Sequence, residues 1–570
     1  MHQLLTRLVL YLLTFELFVA LATQALGLFT VGVVWAIHLM ALIGVVAWFW
    51  RTRPTQPKLE RPELGLLVVV VIAGAMLWQV HYRYDGAVAT ALEPGYTVHE
   101  NYSYTYPYFS DEWYAIAFAQ QSIETGQLPL TFPLTRIDEP FRNFEAPFHA
   151  LVAELLLLFG LNPLEHYVGL SLGFGVGVVA SLYLLLRQLA AEQVPAAAAA
   201  LLALFIVNGA NLPGLWTLLP VVSGALALLL TLAMIVAGRQ REALMGSFVT
   251  LLLYPPLVVF LIPVWLLVGV TTRHWRAVAL FFGSLLAAAL IMAGLYFFGS
   301  LPAGQNVVTF VHQTWTTAIA YSSYQAQGIP SYPLWGVVPW ATLVLAAVGS
   351  FVAWRRHAWW LMVASALGLL YWLIYSQTNA RFIIDYQRVV FMTSLLLTVL
   401  AGLGAQQLWK TLSKRLVHQV PYLSIIGLIA VLAVFGALVP GYTNQDQWQR
   451  LVLVTDEGSL LPPKAPANQY LTPEDLELFS DVHGERFLSH PWKGTVVGVA
   501  TGNHPLEIKG GTITFGQGRY AEFNARDCAH KAAMAEGHGF VYAYVPSLTC
   551  ADWQPVGRSA EGLQLYRYDP

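Results

Sequence analysis

Residues 104–134 read YTYPYFSDEWYAIAFAQQSIETGQLPLTFPL, and residues 136–160 read RIDEPFRNFEAPFHALVAELLLLFG. Together they fill most of the segment from His81 to His166, which lies between two blocks of long apolar runs. The segment is too polar to cross a bilayer as a helix, which needs about 20 mostly apolar residues. It is also too aromatic for a passive linker. We therefore interpret the rest of the chain as a scaffold that holds this segment, here named the large outer loop, over a cavity in the membrane.

The composition indicates a membrane protein. Of the 570 residues, 57% are hydrophobic and 11% are charged, whereas about a quarter of the residues in a soluble domain are charged. Many apolar runs approach the length of a spanning helix, and they lack the ten-residue alternation of a transmembrane β-barrel. The net charge of −2 gives no basic surface for nucleic acid. The sequence thus predicts a polytopic α-helical membrane protein.

Basic residues beside the apolar runs predict the orientation, because Lys and Arg are enriched in cytoplasmic loops. Nearly all basic clusters fall on one side if the apolar run 147–159 does not cross the membrane. That run is shorter than a full span, so we expect a juxtamembrane helix on the outer surface. About 13 spans in the cell membrane result, with the N-terminus in the cytoplasm and the C-terminus outside.

Changes in composition divide the chain into three regions. They are an N-terminal transmembrane hairpin with a cytoplasmic loop (residues 1–63), a transmembrane core that includes the large outer loop (64–442), and a small exocytoplasmic α/β domain (443–570). In the last region the alternating segments GTVVGVATG (494–502), FVYAYV (540–545) and LQLYRY (563–568) predict strands.

The two cysteines, Cys528 and Cys550, both lie in the C-terminal region. This placement predicts a disulfide in an oxidising compartment, with two unpaired thiols as the alternative.

Glu16 and His38 lie at membrane depth in the N-terminal hairpin. Ionisable groups at this depth are functional candidates by default, but we favour a hydrogen bond between the two helices or a place near the interface.

Asp111 and Glu112 form an acidic pair at the start of an amphipathic segment. A helix beside a bilayer lies flat with its apolar face down, which would hold the pair above the membrane cavity. The functional interpretation is a general base that takes a proton from an acceptor hydroxyl. The alternative is an Asp that only caps the helix.

The stretches SDEWYAIAFAQQSIETGQLP (110–129) and EAPFHALVAELLLLFGLNP (145–163) resemble the GT-C superfamily, integral-membrane glycosyltransferases that use polyprenyl-phosphate-linked sugars. The resemblance covers residues 64–410 in topology. It implies that Asp111 acts in catalysis, with Glu112 as its neighbour or substitute. There is no WWDYG-like motif, which argues against an oligosaccharyltransferase, and Ala146-Pro147-Phe148 replaces the His-Pro-Pro of protein mannosyltransferases. The subfamily is therefore open.

A polyprenyl-phosphate donor requires cations at the outer boundary, because the phosphate gains charge as the sugar leaves. Arg381 and Arg388 lie in the outer loop NARFIIDYQR with Asp385 between them, although an Arg–Asp ion pair or interface snorkelling would explain them equally well. Arg142 and His149 are further candidates for the phosphate. The residues that we expect to contact substrate are Tyr114, Asp138, Glu139, His312, Trp315 and Trp492. The alternative for His312 and Trp315 is an aromatic belt at the interface, and the alternative for Trp492 is an ordinary turn between strands.

No cluster has clear metal-ligand spacing, so no cofactor is certain, but Asp138 and Glu139 are candidates for a divalent cation. The predicted function is transfer of a sugar from a polyprenyl-phosphate carrier to an acceptor hydroxyl on a glycan, lipid or protein at the outer face. A transporter or flippase for lipid-linked saccharides, or an assembly protein, is the alternative. Polar residues through the middle of several spans would indicate a transporter; here they concentrate at the outer end.

Overall fold

The structure is a computed structural model. It describes residues 1–52, 63–82, 86–92, 95–102, 106–107, 111–134, 143, 145–207, 212–300, 332–356, 358–378, 385–416, 422–442, 471–508, 518–559 and 562–570.

Helices dominate the first 442 residues. They are α1 (His2–Ala25), α2 (Val31–Thr52), α3 (Leu64–Tyr82), α4 (Glu112–Thr125), α5 (Ala146–Leu158), α6 (Pro163–Gln188), α7 (Gln193–Leu202), α8 (Pro220–Val236), α9 (Gln240–Leu253), α10 (Val258–Thr272), α11 (Trp275–Ser300), α12 (Leu334–Val337), α13 (Trp340–Arg355), α14 (Trp359–Thr378), α15 (Tyr386–Leu416) and α16 (Leu423–Leu438).

Within the described residues, seven helices are long and apolar enough to cross a membrane. They are α1, α3, α6, α10 with the turn before it, α11, α14 and α15. The predicted class, a polytopic α-helical membrane protein with a small C-terminal sheet, is confirmed. The number of spans stays a prediction.

Ion pairs tie together one end of the bundle, here named the basic end. The ring of His2 lies 3.3 Å from Glu63, and the same carboxylate binds Arg187 at 3.0 Å. Arg7 pairs with Glu242 at 3.1 Å. These contacts join the starts of α1, α3 and α9 to the end of α6, all of which the sequence places at the cytoplasmic side. Which side of the membrane this end faces stays a prediction.

The large outer loop lies at the opposite end of the bundle. It contains the antiparallel hairpin of β1 (Gly86–Leu92) and β2 (Gly95–Tyr102), which the sequence analysis did not predict, followed by α4 and α5. Helix α5 covers 13 residues, too few to span a membrane, and packs against α1, α2, α4 and α6. The side chain of Gln24 at the end of α1 donates to the carbonyl of Ala150 at 2.9 Å. The N-terminal hairpin therefore supports the loop directly.

Two prolines, Pro255 and Pro256, interrupt the apolar run after residue 243. Helix α9 ends at Leu253, a 3-10 turn covers Pro255–Leu257, and α10 starts at Val258. Proline removes a backbone donor and cannot continue a helix without strain.

The C-terminal region forms a five-stranded sheet in the order β4-β3-β5-β7-β6. The strands are β3 (Arg486–Ser489), β4 (His504–Pro505), β5 (Tyr542–Val545), β6 (Trp553–Arg558) and β7 (Gln564–Tyr568). Strand β3 is parallel to β4 and β5, whereas β7 is antiparallel to β5 and β6. The segments FVYAYV and LQLYRY thus supply β5 and β7 as predicted, and Cys528 and Cys550 form the predicted disulfide.

The prediction that GTVVGVATG is a strand is wrong. These residues belong to a helix, Pro491–Thr501, which follows the short helix α17 (Pro473–Leu478) and is α18 here. Its boundaries have clear signals. His490 caps its start, Pro491 is its first residue, and Gly502 ends it in the left-handed conformation at φ 73°. The Val and Thr residues form a helix here because tertiary packing overrides their preference for strands.

The region also contains α19 (Arg519–Ala525) and α20 (Cys528–His538). Helix α18 packs against α4 of the large outer loop. A Cβ atom on Gly498 would lie 3.1 Å from a methyl carbon of Leu134, so the two segments approach closely. The C-terminal region is thus docked on the loop that carries the acidic pair. The three predicted domain boundaries stay predictions.

Candidate active site

Helix α4 positions the acidic pair. Glu112 is its first residue, and Gly126 ends it in the left-handed conformation at φ 70°, which glycine adopts without steric cost. All residues from Glu112 to Ala119 are buried. The sequence predicts a helix lying flat on a bilayer with one face exposed. Instead, α5, α6 and α18 pack around α4. The start of α4 is therefore held in a fixed position.

Asp111 precedes this helix and faces a guanidinium group. Its side chain forms no capping hydrogen bond with the described backbone of α4, so the capping alternative is not realised. Oδ2 of Asp111 lies 3.5 Å from a terminal nitrogen of Arg388, and the Asp111 side chain is 33% exposed. Two residues that the sequence singled out separately are thereby brought together.

Arg388 lies in the first turn of α15 and is held from a second side. Its other terminal nitrogen lies 3.2 Å from Oδ2 of Asp385 and donates to Oε1 of Gln387 at 3.2 Å. The Arg–Asp ion pair expected as an alternative therefore exists, and the guanidinium still reaches Asp111. With its side chain 16% exposed, Arg388 is a fixed cation at the edge of the bundle.

Glu145 is a member of this site that the sequence analysis did not single out. It directly precedes α5. Burial raises the pKa of Glu145, the positive charge of Arg388 lowers it, and the charges of Asp111 and Asp385 raise it; the net result is a pKa of about 7. We name Asp111, Glu145, Asp385 and Arg388 the acidic centre. The sequence signal that could have identified Glu145 is a single Glu followed by Ala-Pro at the start of an apolar run.

Glu112 points away from the acidic centre into the protein. Its side chain is buried, and Oε1 accepts hydrogen bonds from the backbone N–H of Leu218 at 2.8 Å and from the hydroxyl of Ser171 at 3.2 Å. The hydroxyl of Tyr167 donates to the carbonyl of Leu218 at 2.5 Å. Glu112 thus ties the start of α4 to α6 and to the segment before α8. Its predicted role beside Asp111 stays a prediction.

Asn143 organises the approach to α5. Its amide nitrogen donates to the carbonyl of Pro129 at 2.9 Å, and its amide oxygen accepts from the backbone N–H of Glu145 at 3.2 Å. The same oxygen lies 2.7 Å from Nδ1 of His149, whose ring stacks on Phe118 at 4.5 Å. Burial lowers the pKa of His149 to about 3. Any contact of His149 with phosphate would therefore be made by a neutral ring.

Of the other residues predicted to contact substrate or phosphate, some lie in described helices and the rest fall outside the described part of the chain. Tyr114 is buried in α4 with its ring edge-on to Phe132 at 4.8 Å. Trp492 lies in α18 rather than in a turn between strands, and the neighbouring Lys493 forms a buried ion pair with Asp475 at 2.5 Å. The predicted residues that fall outside the described part of the chain are Asp138, Glu139, Arg142, His312, Trp315 and Arg381.

No protein-family model matches the chain, and no curated protein matches it. Among solved structures, the chain is similar to the archaeal oligosaccharyltransferase AglB from Archaeoglobus fulgidus in complex with an inhibitory peptide and a dolichol-phosphate. The identity is 13% and the TM-score 0.48, over 84% of this chain and 69% of that chain. The Archaeoglobus fulgidus oligosaccharyltransferase in complex with Zn and sulfate gives 14% identity and the same TM-score of 0.48, over 84% of this chain and 67% of that chain.

Both identities are below 25% and both TM-scores are below 0.5, so the functional assignment depends on the contacts of this chain's own residues.

Proposed function

We propose that the chain is a membrane glycosyltransferase that moves a sugar from a polyprenyl-phosphate carrier to an acceptor hydroxyl at the outer face of the cell membrane. The acceptor hydroxyl attacks the anomeric carbon of the sugar and forms the new C–O bond. The bond from that carbon to the phosphate oxygen breaks, and the phosphate keeps the electron pair. Asp111 takes the hydroxyl proton, and Arg388 faces the charge that develops on the phosphate.

The observation that carries the proposal is the contact between Asp111 and Arg388. Its 3.5 Å separation is longer than the 2.7–2.9 Å of a tight charge-assisted hydrogen bond, and a third of the Asp111 side chain is exposed. By contrast, Arg187 binds Glu63 through two nitrogens at 3.0 Å in a closed contact at the basic end. The closed contact between Arg187 and Glu63 is typical of a structural ion pair. The longer contact between Asp111 and Arg388 suits a base and a cation that must admit substrate between them.

The surrounding charges support the same assignment. Asp385 holds one side of the Arg388 guanidinium, so its direction is fixed before a ligand arrives. Stabilisation by fixed charges that face the group gaining charge is the largest single contribution to the rate enhancement of many enzymes. Glu145, with a pKa of about 7, can bind or release a proton at neutral pH and is a second candidate for the base.

The test uses the full-length protein in native membranes and a set of polyprenyl-phosphate hexoses labelled in the sugar. Asp111→Asn and Arg388→Gln are each expected to lower the transfer of label to envelope acceptors by about 100-fold or more, as loss of a general base or of a charge-stabilising donor does. Glu242→Gln, which removes an ion pair at the basic end, is the matched control and should retain full transfer.

Full transfer by Asp111→Asn would refute the assignment of the base. Movement of the labelled lipid across vesicles without any chemical change would favour the transporter, and neither activity would favour an assembly role.

A further inference from the structure

We infer that Glu16, His38 and Glu154 form a divalent metal site, best suited to Zn²⁺, that joins the N-terminal hairpin to α5. The three residues lie on α1, α2 and α5. One ligand atom from each lies within 4.8 Å of the others, and among the described residues this is the group of three that meets such a geometry. The inference is independent of the proposed function, because none of the three belongs to the acidic centre.

The ring of His38 is oriented as a metal ligand requires. Its Nδ1 lies 2.8 Å from the backbone carbonyl of Val34. A carbonyl oxygen can only accept, so Nδ1 carries the hydrogen, and in the neutral ring Nε2 presents its lone pair. Metal-binding histidines usually donate their second ring N–H to a carbonyl or carboxylate in this way. Nε2 faces Oε2 of Glu16 at 2.9 Å, so either a proton or a metal ion lies between these two atoms.

Glu154 provides the independent observation. Its side chain is 0% exposed, and neither carboxylate oxygen has a hydrogen-bond partner within the described residues. One of these oxygens lies 3.5 Å from Nε2 of His38. A buried carboxylate without hydrogen bonds is strongly unfavourable. Glu154 therefore points into the space that Glu16 and His38 share, where a proton shared with Glu16 or a metal ion can offset its charge.

The separation between His38 and Glu154 fits a small cation, whereas the 2.9 Å between His38 and Glu16 would lengthen by about half an ångström on metal binding. Zn²⁺ binds imidazole nitrogen and carboxylate oxygen at 2.0–2.2 Å with tetrahedral geometry, which places neighbouring ligand atoms about 3.3–3.6 Å apart. The 3.5 Å between His38 and Glu154 matches this separation, whereas it is too long for an O–H···N hydrogen bond. Two carboxylates and a neutral imidazole carry a charge of −2, which a divalent ion neutralises. One imidazole and two carboxylates leave a fourth position of the metal open.

The three ligands come from three helices, so a bound ion would link these helices. Glu16 is nine residues from the end of α1 and His38 seven residues from the start of α2, which corresponds to depths of about 10–14 Å at the rise of an α-helix. Glu154 lies on the helix whose start carries Glu145 of the acidic centre. A bound ion would therefore fix α5 relative to the N-terminal hairpin.

The test uses the full-length protein in detergent, stripped with a chelator and then titrated with Zn²⁺ alone. Bound metal is counted by mass spectrometry, and the Tm is measured at each Zn²⁺ concentration. The wild type is expected to bind one Zn²⁺ with a rising Tm, because an ion that binds only the folded state stabilises it. Glu154→Gln keeps the side-chain shape but removes a charged ligand, so we expect at least a 100-fold weaker affinity and no Zn²⁺-dependent rise of the Tm.

Two further variants make the test decisive. Glu16→Gln should behave as Glu154→Gln does, and it serves if the latter does not fold. Glu522→Gln is the matched control, because Glu522 also pairs with a histidine, His530, at 3.1 Å but on an exposed surface; its Zn²⁺ affinity should equal that of the wild type. Co²⁺ in place of Zn²⁺ should give the visible absorption of a tetrahedral site in the wild type and in Glu522→Gln, but not in Glu154→Gln or Glu16→Gln. A wild type that binds no Zn²⁺, or Glu154 and Glu16 variants that bind it equally well, would overturn the inference and leave protons as the shared cations.

Discussion

Replacing Glu63 at the basic end should destabilise the whole protein in a pH-dependent way. Glu63 directly precedes α3 and is buried, yet it accepts bonds from three groups. The Arg187 guanidinium binds both of its oxygens at 3.0 Å, the Tyr183 hydroxyl donates at 2.6 Å, and the His2 ring lies at 3.3 Å. Glu63→Gln keeps the shape but removes the charge, leaving the partly buried guanidinium of Arg187 without its counterion.

The pKa of Glu63 gives the expected magnitude. Burial raises this pKa, but the hydrogen bonds from His2, Arg187 and Tyr183 outweigh burial and lower it from 4.5 to about 2. One pKa unit corresponds to about 1.4 kcal/mol, so the ionised group contributes roughly 3 kcal/mol to the free energy of unfolding. Because the folded pKa lies below the unfolded one, this contribution is fully present above pH 4.5 and is lost as the pH falls towards 2.

The assay compares unfolding of the wild type and Glu63→Gln in detergent between pH 7 and pH 2.5. The variant should be less stable by about 3 kcal/mol at pH 7, and the difference should shrink steadily below pH 4.5. Glu242→Gln removes the more exposed pair with Arg7 and should cost about 1 kcal/mol or less. Equal stability of wild type and Glu63→Gln at pH 7, or a difference that does not change with pH, would refute the reasoning.

Two further predictions concern helix packing and the acidic centre. A Cβ on Gly349 of α13 would lie 1.7 Å from the carbonyl oxygen of Leu400 on α15, so Gly349→Ala should lower the free energy of unfolding by about 1–3 kcal/mol. Gly283→Ala on α11, where a Cβ meets nothing within 4 Å, should be neutral or slightly stabilising, and equal Tm values for the two variants would contradict this. The transfer rate of the wild type should fall below pH 7 as Glu145 is protonated; if Glu145→Gln retains this pH dependence, another group is responsible.

Much of the membrane fold could be predicted because spanning helices are determined by the hydropathy of consecutive residues. The long apolar runs and the break at Pro255-Pro256 each depend on residues close in the sequence, and both are found in the structure. The hydrogen bond favoured between Glu16 and His38 is also confirmed. The prediction for GTVVGVATG was wrong because the segment has the composition of a strand but lies between helix-capping residues, and its neighbours in the fold select the helix.

The pairings within the candidate sites could not be predicted. Asp111 and Arg388 are 277 residues apart, and Glu154 is more than a hundred residues from Glu16 and His38. Chemistry alone singled out Asp111 and Arg388, because a base and a cation are needed for the proposed reaction. Glu154 looked like one charge in an apolar run, and only the packing of α5 against α1 and α2 brings it to the other two residues.

The elements packed around α4 hold the backbone of Asp111 in place. A catalytic carboxylate must be held rigidly while its own oxygens remain accessible, because misplacement by an ångström removes much of the benefit of positioning. The buried bonds of Glu112 to Leu218 and Ser171 fix the residue after Asp111, and α18 packs on the same helix. The carboxylate of Asp111 itself keeps a long contact to Arg388 and a third of its surface exposed. The 3.5 Å separation is wider than a tight ion pair needs, and the proposed transferase would use this width to admit a hydroxyl and a phosphate between the two groups.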